Sequence, residues 1–333
     1  MPDIHPDGVL PEPPSPVNAE YVEPSTTDVL RTGAKLAHLF ALNVNQPFYL
    51  QRLSERAYFY GGGFYNTTFY VGDSGVLVLD PPEGQGENLL QAISQVTSLP
   101  VTAIAYSHGH ADHMIGAPPI LQAASEAGVA HVRIISSTQT VTKLELVKSS
   151  MPAPNETVSW PRGAFEFEGL TVELHGFERA AHADDSSILL LVQEEVAHLP
   201  DLINGDQPPF RRFGESENYL YYRPNVNQLG ALDWKHLVGG HGNVGSKDDV
   251  RFINSFLDDL EAAVGKAMAT VKFADVVDLA KYNNHAAVMI PWVTAISTAA
   301  TNEMRPKYGD YYGFDITVPS NVEMVAESMI YYR

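Results

Sequence analysis

One ten-residue stretch constrains this chain more than any other: Ser107-His108-Gly109-His110-Ala111-Asp112-His113-Met114-Ile115-Gly116. It follows Val101-Thr102-Ala103-Ile104-Ala105-Tyr106, an apolar run with β-branched residues that reads as a buried strand. It precedes Gly116-Ala117-Pro118-Pro119-Ile120, where the prolines suit the first turn of a helix. Three imidazoles and a carboxylate therefore crowd a strand-to-helix turn. Imidazole is a ligand for zinc and iron, and a carboxylate adds a harder oxygen. A short turn cannot easily aim all four groups at one ion. The spacing points instead to two neighbouring ions, one facing His108 and His110 and the other Asp112 and His113.

The stretch resembles the His-x-His-x-Asp-His signature of the metallo-β-lactamase superfamily, which includes glyoxalase II and N-acyl-homoserine-lactone lactonases. The resemblance implies that later residues complete the site, each on its own loop. The chain offers His182 in Ala181-His182-Ala183-Asp184, Asp206 in Asn204-Gly205-Asp206, and His241 in Gly239-Gly240-His241-Gly242. Carried over, one ion takes His108, His110 and His182. The other takes Asp112, His113 and His241, and Asp206 bridges the two. The implied cofactor is a pair of divalent ions, zinc first, with iron or manganese as alternatives. Asp80 ends an apolar strand, Gly75-Val76-Leu77-Val78-Leu79. A buried carboxylate needs a partner, so Asp80 is expected to hold a ligating histidine or the loop backbone from behind. The family also has an Asp there.

The expected chemistry is hydrolysis. A bound divalent ion lowers the pKa of water toward about 7, and Asp112 is the residue expected to orient the bridging hydroxide as it attacks an ester, lactone or thioester carbonyl. Three alternatives stay open: a mononuclear iron enzyme of the persulfide dioxygenase type, a β-lactam-hydrolysing enzyme, and a non-catalytic protein that keeps its metals for folding. The absence of cysteine removes β-lactamase subclasses with a Cys ligand. Lactonases of this family often carry Tyr three residues after the bridging Asp, and here that residue is Pro209. Phe64, Tyr65, Phe210 and Tyr219 are the candidate pocket residues, implying an apolar or aromatic acyl group. The other histidines (His5, His38, His131, His175, His198, His236, His285) lack ligand context, and among them only His175, at a strand end, invites a pocket role.

The resemblance implies an αββα sandwich, an α/β (α+β) fold of two mixed sheets flanked by helices. It covers roughly residues 50–270, leaving an N-terminal extension, 1–49, and a helical C-terminal appendix, 271–333. Periodicity predicts helices over about 27–42, 88–99, 116–127, 138–147 and 244–270, then over 286–300 with a break at Pro291, and over 322–330. It predicts strands over 66–71, 75–80, 132–135, 165–168, 170–174 and 188–192, and Gly61-Gly62-Gly63 reads as a turn. A helix over 27–42 would be capped from Ser25-Thr26-Thr27-Asp28.

Charge bears on partners. The formal net charge is -19, from 21 basic and 40 acidic residues, with no basic stripe. Phosphate contacts need Lys and Arg, so nucleic acid is not an expected partner. No run of apolar residues is long enough to span a membrane, and the acidic N-terminus lacks the pattern of a secretory signal. The expectation is a cytoplasmic enzyme acting on a small molecule, with either extension free to serve a homo-oligomer contact.

Overall fold

The computed structural model describes residues 12–41, 46–278, 281, 284, 287 and 289–332. His5 and His285 lie outside them, as do residues 1–11 and parts of the stretch 279–288. Two short parallel strands come first, β1 (Tyr21–Val22) and β2 (Lys35–Leu36). Seven strands then build one sheet: β3 (Tyr49–Arg52), β4 (Ala57–Gly62), β5 (Tyr65–Val71), β6 (Val76–Leu79), β7 (Val101–Ala105), β8 (Arg133–Ser137) and β9 (Glu156–Val158), in that spatial order. Five more build a second: β10 (Arg162–Phe167), β11 (Leu170–Gly176), β12 (Ser187–Leu191), β13 (Val196–His198) and β14 (His236–Val238). Both are mixed, since β6 pairs parallel to β7 and β13 parallel to β14 while the hairpins are antiparallel.

Side-chain alternation along the strands sets the layers. Phe59, Leu77, Leu79 and Ala105 point inward from the first sheet and meet Leu174, Leu189, Leu191 and Val238 from the second. Tyr60, Val76, Val78 and Ile104 point the other way, beneath α1 (Gly86–Ser94), α2 (Ala117–Glu126) and α3 (Thr138–Leu146). On the second sheet Ile188 and Leu190 face α4 (Tyr222–Gly230), α5 (Lys247–Thr270), α6 (Met289–Tyr308) and α7 (Phe314–Tyr331). Each fully buried large apolar side chain contributes about 1.5–3 kcal/mol. The outcome is the αββα sandwich that the resemblance implied. Among the described residues, no helix is long and apolar enough to cross a membrane.

Several local expectations change. No α-helix forms over the described residues 27–41, which end in a single 3-10 turn, Leu39–Ala41. That stretch is an extended strap whose apolar residues Leu30, Ala34, Leu36 and Leu39 sink into the core cluster between the sheets. Its backbone is satisfied from far away: Leu30 N–H donates to Arg52 O, and Leu36 N–H to the Asn243 side chain at 2.9 Å. Lys35 is fully buried and donates to Asp249 and to Val244 O, both at 2.6 Å. Helical spacing is also the spacing of a strap that dips repeatedly into a core, and tertiary contacts decided. Gly61 and Gly62 belong to β4 rather than to a turn. Pro291 does not break α6, because it lies in the first turn, where no backbone N–H is required.

Candidate metal centre

The histidine-rich turn leaves β7 and is pinned on both sides. Asp80 Oδ1 accepts from Ser107 N–H at 2.8 Å, and the Asp112 carbonyl accepts from Glu83 N–H at 2.7 Å. Asp80 thus holds the loop backbone, one of the two roles expected of it. Its other oxygen meets the fully buried His198 Nε2 at 2.8 Å, and Thr68 Oγ1 lies 3.2 Å from that ring's Nδ1. His198 had no role in the sequence reading. Its only signal was its place at the end of a short apolar strand.

The remaining candidates hang from the other sheet: His182 between β11 and β12, and His241 just after β14. The bridging position is corrected. Asp201, and not Asp206, stands among the histidines: its Oδ2 lies 3.0 Å from His113 Nε2, 3.3 Å from His182 Nε2 and 3.7 Å from His108 Nε2. Its Oδ1 lies 3.1 Å from His241 Nε2. Asp206 turns the opposite way, accepting from Ser15 Oγ at 2.5 Å and Tyr21 O–H at 2.7 Å, while its own N–H donates to Asp249. The physical reason is reach: Asp201 stands three residues past the end of β13, in the loop that meets the histidines, and Asp206 is already beyond the next turn. That strand-end position was the available signal, and the Gly-Asp pair drew attention away from it. Counted from Asp201, the third residue on is Asn204 and not Pro209.

Two sets of ligand atoms result, each gathered within 4.8 Å: His108, His110, His182 and Asp201, and Asp112, His113 and His241. Positive φ at Asp80 (38°) and Asp201 (69°) places both carboxylates on strained backbone, which clusters at functional sites. At Gly240 (φ 82°) an added Cβ would lie 2.8 Å from Pro200 Cβ and 3.0 Å from the His113 ring, so close loop contact there requires glycine.

Second partners fix the rings. His182 Nδ1 donates to Gly214 O at 2.6 Å and His241 Nδ1 to Phe64 O at 2.8 Å, which leaves both Nε2 atoms as acceptors. Burial, then the neighbouring His110 and His182, holds the His108 imidazole well below its ordinary pKa. Burial likewise takes His182 down to about 4. Both rings are therefore neutral near pH 7, the form that binds metal. Burial opposes charge on His113 too, but Asp201 outweighs it and pushes that ring up to about 9. Burial alone would raise Asp201, yet His113 and His182 keep it well below the usual carboxylate range.

The donor set fits a metal. His108 Nε2 and His113 Nδ1 are buried without a hydrogen-bond partner. Leaving a polar atom so costs about 1–3 kcal/mol, and a cation is what an inward-facing cluster of imidazole and carboxylate lone pairs answers.

Of the expected pocket residues, Phe64, Tyr65 and Phe210 line a cleft against His241. Tyr219 does not; it packs on Phe213 and donates to Glu261 at 2.6 Å, under the helices. His175 sits on β11, one strand in from the sheet edge, between Arg162 and Glu173 and outside both ligand sets.

Residues 60–205 match the sequence model of a family described as the metallo-beta-lactamase superfamily. Among solved structures, the chain is similar to a metallo-beta-lactamase from Pontibacter korlensis, with 18% identity and a TM-score of 0.52, covering 63% of this chain and 99% of that one. It is also similar to metallo-beta-lactamase IND-7, with 19% identity and a TM-score of 0.51, covering 63% and 98%. At such identity the likeness is one of fold. No curated protein matches the sequence.

Proposed function

Because residues 60–205 match the sequence model of the metallo-beta-lactamase superfamily, we propose that this protein is a dinuclear metal-dependent hydrolase of a small ester, lactone, thioester or related acyl compound. The observation that supports it best is the pair of ligand sets around Asp201, with the buried His108 Nε2 left without a hydrogen-bond partner. His108, His110 and His182 would hold one ion, Asp112, His113 and His241 the other, and Asp201 would touch both. When bound, such ions supply hydroxide at neutral pH and polarise a carbonyl.

The chain's own residues do the rest. The Gly214 and Phe64 carbonyls keep His182 and His241 in the tautomer that presents Nε2. Asp80 and Glu83 hold the turn so that its side chains converge. Asp112 is the half-exposed acid of the cluster, 3.6 Å from His113. In that role it would take a proton from the attacking water and return it to the leaving group. Phe64 and Tyr65 cover the His241 side and limit water there.

Elemental analysis of the purified chain, run beside a panel of acyl esters, lactones, thioesters and β-lactams, tests the reading. About two zinc per chain with turnover is expected. A single iron with oxygen consumption would replace hydrolysis by persulfide-type oxygenation. Asp112→Ala should lower kcat by roughly 10²–10⁴, the range for a lost acid–base group, and unchanged turnover would remove Asp112 from the reaction.

A further inference from the structure

The cleft beside His241 is not walled by the matched family segment alone. Phe64 lies with its ring centroid 4.6 Å from His241 and 5.6 Å from Phe210, and the Phe210 ring stacks on His241 at 5.8 Å. The opposite wall comes from the two ends of the chain. Leu39 and Phe40 belong to the N-terminal strap, and Tyr312 to the connection between α6 and α7. Phe40 and Tyr312 stack at 3.9 Å with 20° between their planes. Two parts of the sequence that share no secondary structure thus meet face to face over the cleft.

Size and charge define what the space accepts. The cavity measures about 100 Å³ and carries no Lys, Arg, Asp or Glu among its lining residues. An apolar cavity of roughly 150 Å³ holds a benzene ring, so this smaller one encloses a short branched chain, or part of a single ring whose remainder emerges through its open side. Placing a carboxylate or phosphate among these rings would strip its water with no cation in the wall to answer it.

We propose that the Phe40–Tyr312 pair is the specificity-determining wall of the substrate pocket, selecting acyl compounds whose acyl group is uncharged, apolar and no larger than a short branched chain or one partly enclosed ring. This rests on the hydrolase reading for the reaction but not for the binding. The acyl group packs between Phe40–Tyr312 and Phe64–Phe210, which leaves its carbonyl at the His241 edge, beside the ligand cluster.

The test uses the full-length, metal-loaded chain and four esters sharing one leaving group: acetyl, butanoyl, phenylacetyl and succinyl. Binding of neutral phenylacetamide is followed in parallel by saturation-transfer NMR, which needs no turnover. The unmodified chain should prefer phenylacetyl and butanoyl over succinyl and should bind phenylacetamide. Phe40→Ala and Tyr312→Ala should each lower the phenylacetyl-to-acetyl ratio of kcat/KM about tenfold, chiefly through KM, and weaken phenylacetamide. Phe40→Trp keeps the stack but fills the space, so it should reject phenylacetyl more than acetyl even if the alanine variants fold poorly. If phenylacetamide binds and the variants lose it while no ester turns over, the wall stands and the hydrolase reading falls. If esters turn over but the ratio is unmoved in all three variants, or if succinyl is preferred, the wall is overturned and the hydrolase reading survives.

Discussion

At the scale of single residues, Asp201 and Asp206 separate two jobs that a Gly-Asp pair had merged. Asp201 touches four histidines, and Asp206 touches the N-terminal strap. Outer partners of metal ligands typically contribute 10–100-fold in affinity, so Asp201→Asn should lower metal affinity by at least about 100-fold. Asp206→Asn should leave metal content intact; competitive titration with a chromogenic chelator separates them, and the reverse order would restore Asp206 to the bridge. Asp206 has a signature of its own. Burial pushes its carboxyl up to about 6 from an ordinary 3.8, against the pull of Lys35. A folded pKa above the unfolded one means that the folded state binds the proton more tightly. The contribution is complete below about pH 4 and is lost as pH rises through about 6, a span of roughly 2–3 kcal/mol. Urea midpoints measured from pH 4 to 7 should therefore fall in the natural chain relative to Asp206→Asn; parallel curves would show that the carboxyl is not perturbed. The histidines of the turn were legible because their chemistry is dense in sequence. Asp201 was less so, since its role depends on where β13 stops, a fact of sheet register rather than of residue type.

At the scale of elements, the strap 27–41 carries the largest departure from periodicity. Its buried Lys35 is bonded to Asp249, which also caps α5 through Ser246 and receives the Asp206 N–H. Replacing Lys35 with Met would leave that carboxylate buried and without its cation. Breaking such a pair costs about 3–5 kcal/mol, and chemical denaturation of Lys35→Met should record a loss of that order; a loss below about 1 kcal/mol would mean that the site admits water. Elements with strong local signals were read well. The β10–β11 alternation and the apolar stripe of α5 each follow one periodicity, and each formed where expected. The strap, β13 and β14 are short or satisfied at long range, so nothing local distinguishes them.

At the scale of the molecule, the net charge of -19 surrounds a site whose own acids converge on one point. Ions bound only by the folded state stabilise it by about 2.7 kcal/mol at a free concentration one hundred times Kd. Calorimetry before and after exhaustive chelation should thus show a clear drop in Tm, and an unchanged Tm would argue that the cluster holds no ion. The ligand set is also divided between the layers. His108, His110, Asp112 and His113 leave the seven-stranded sheet, while His182, Asp201 and His241 leave the five-stranded one. Neither half carries a full complement of donors. During synthesis, the full set of donors would therefore be assembled only once His241 has emerged and the two halves have closed on each other, so that capture of a complete metal complement would report the completion of folding.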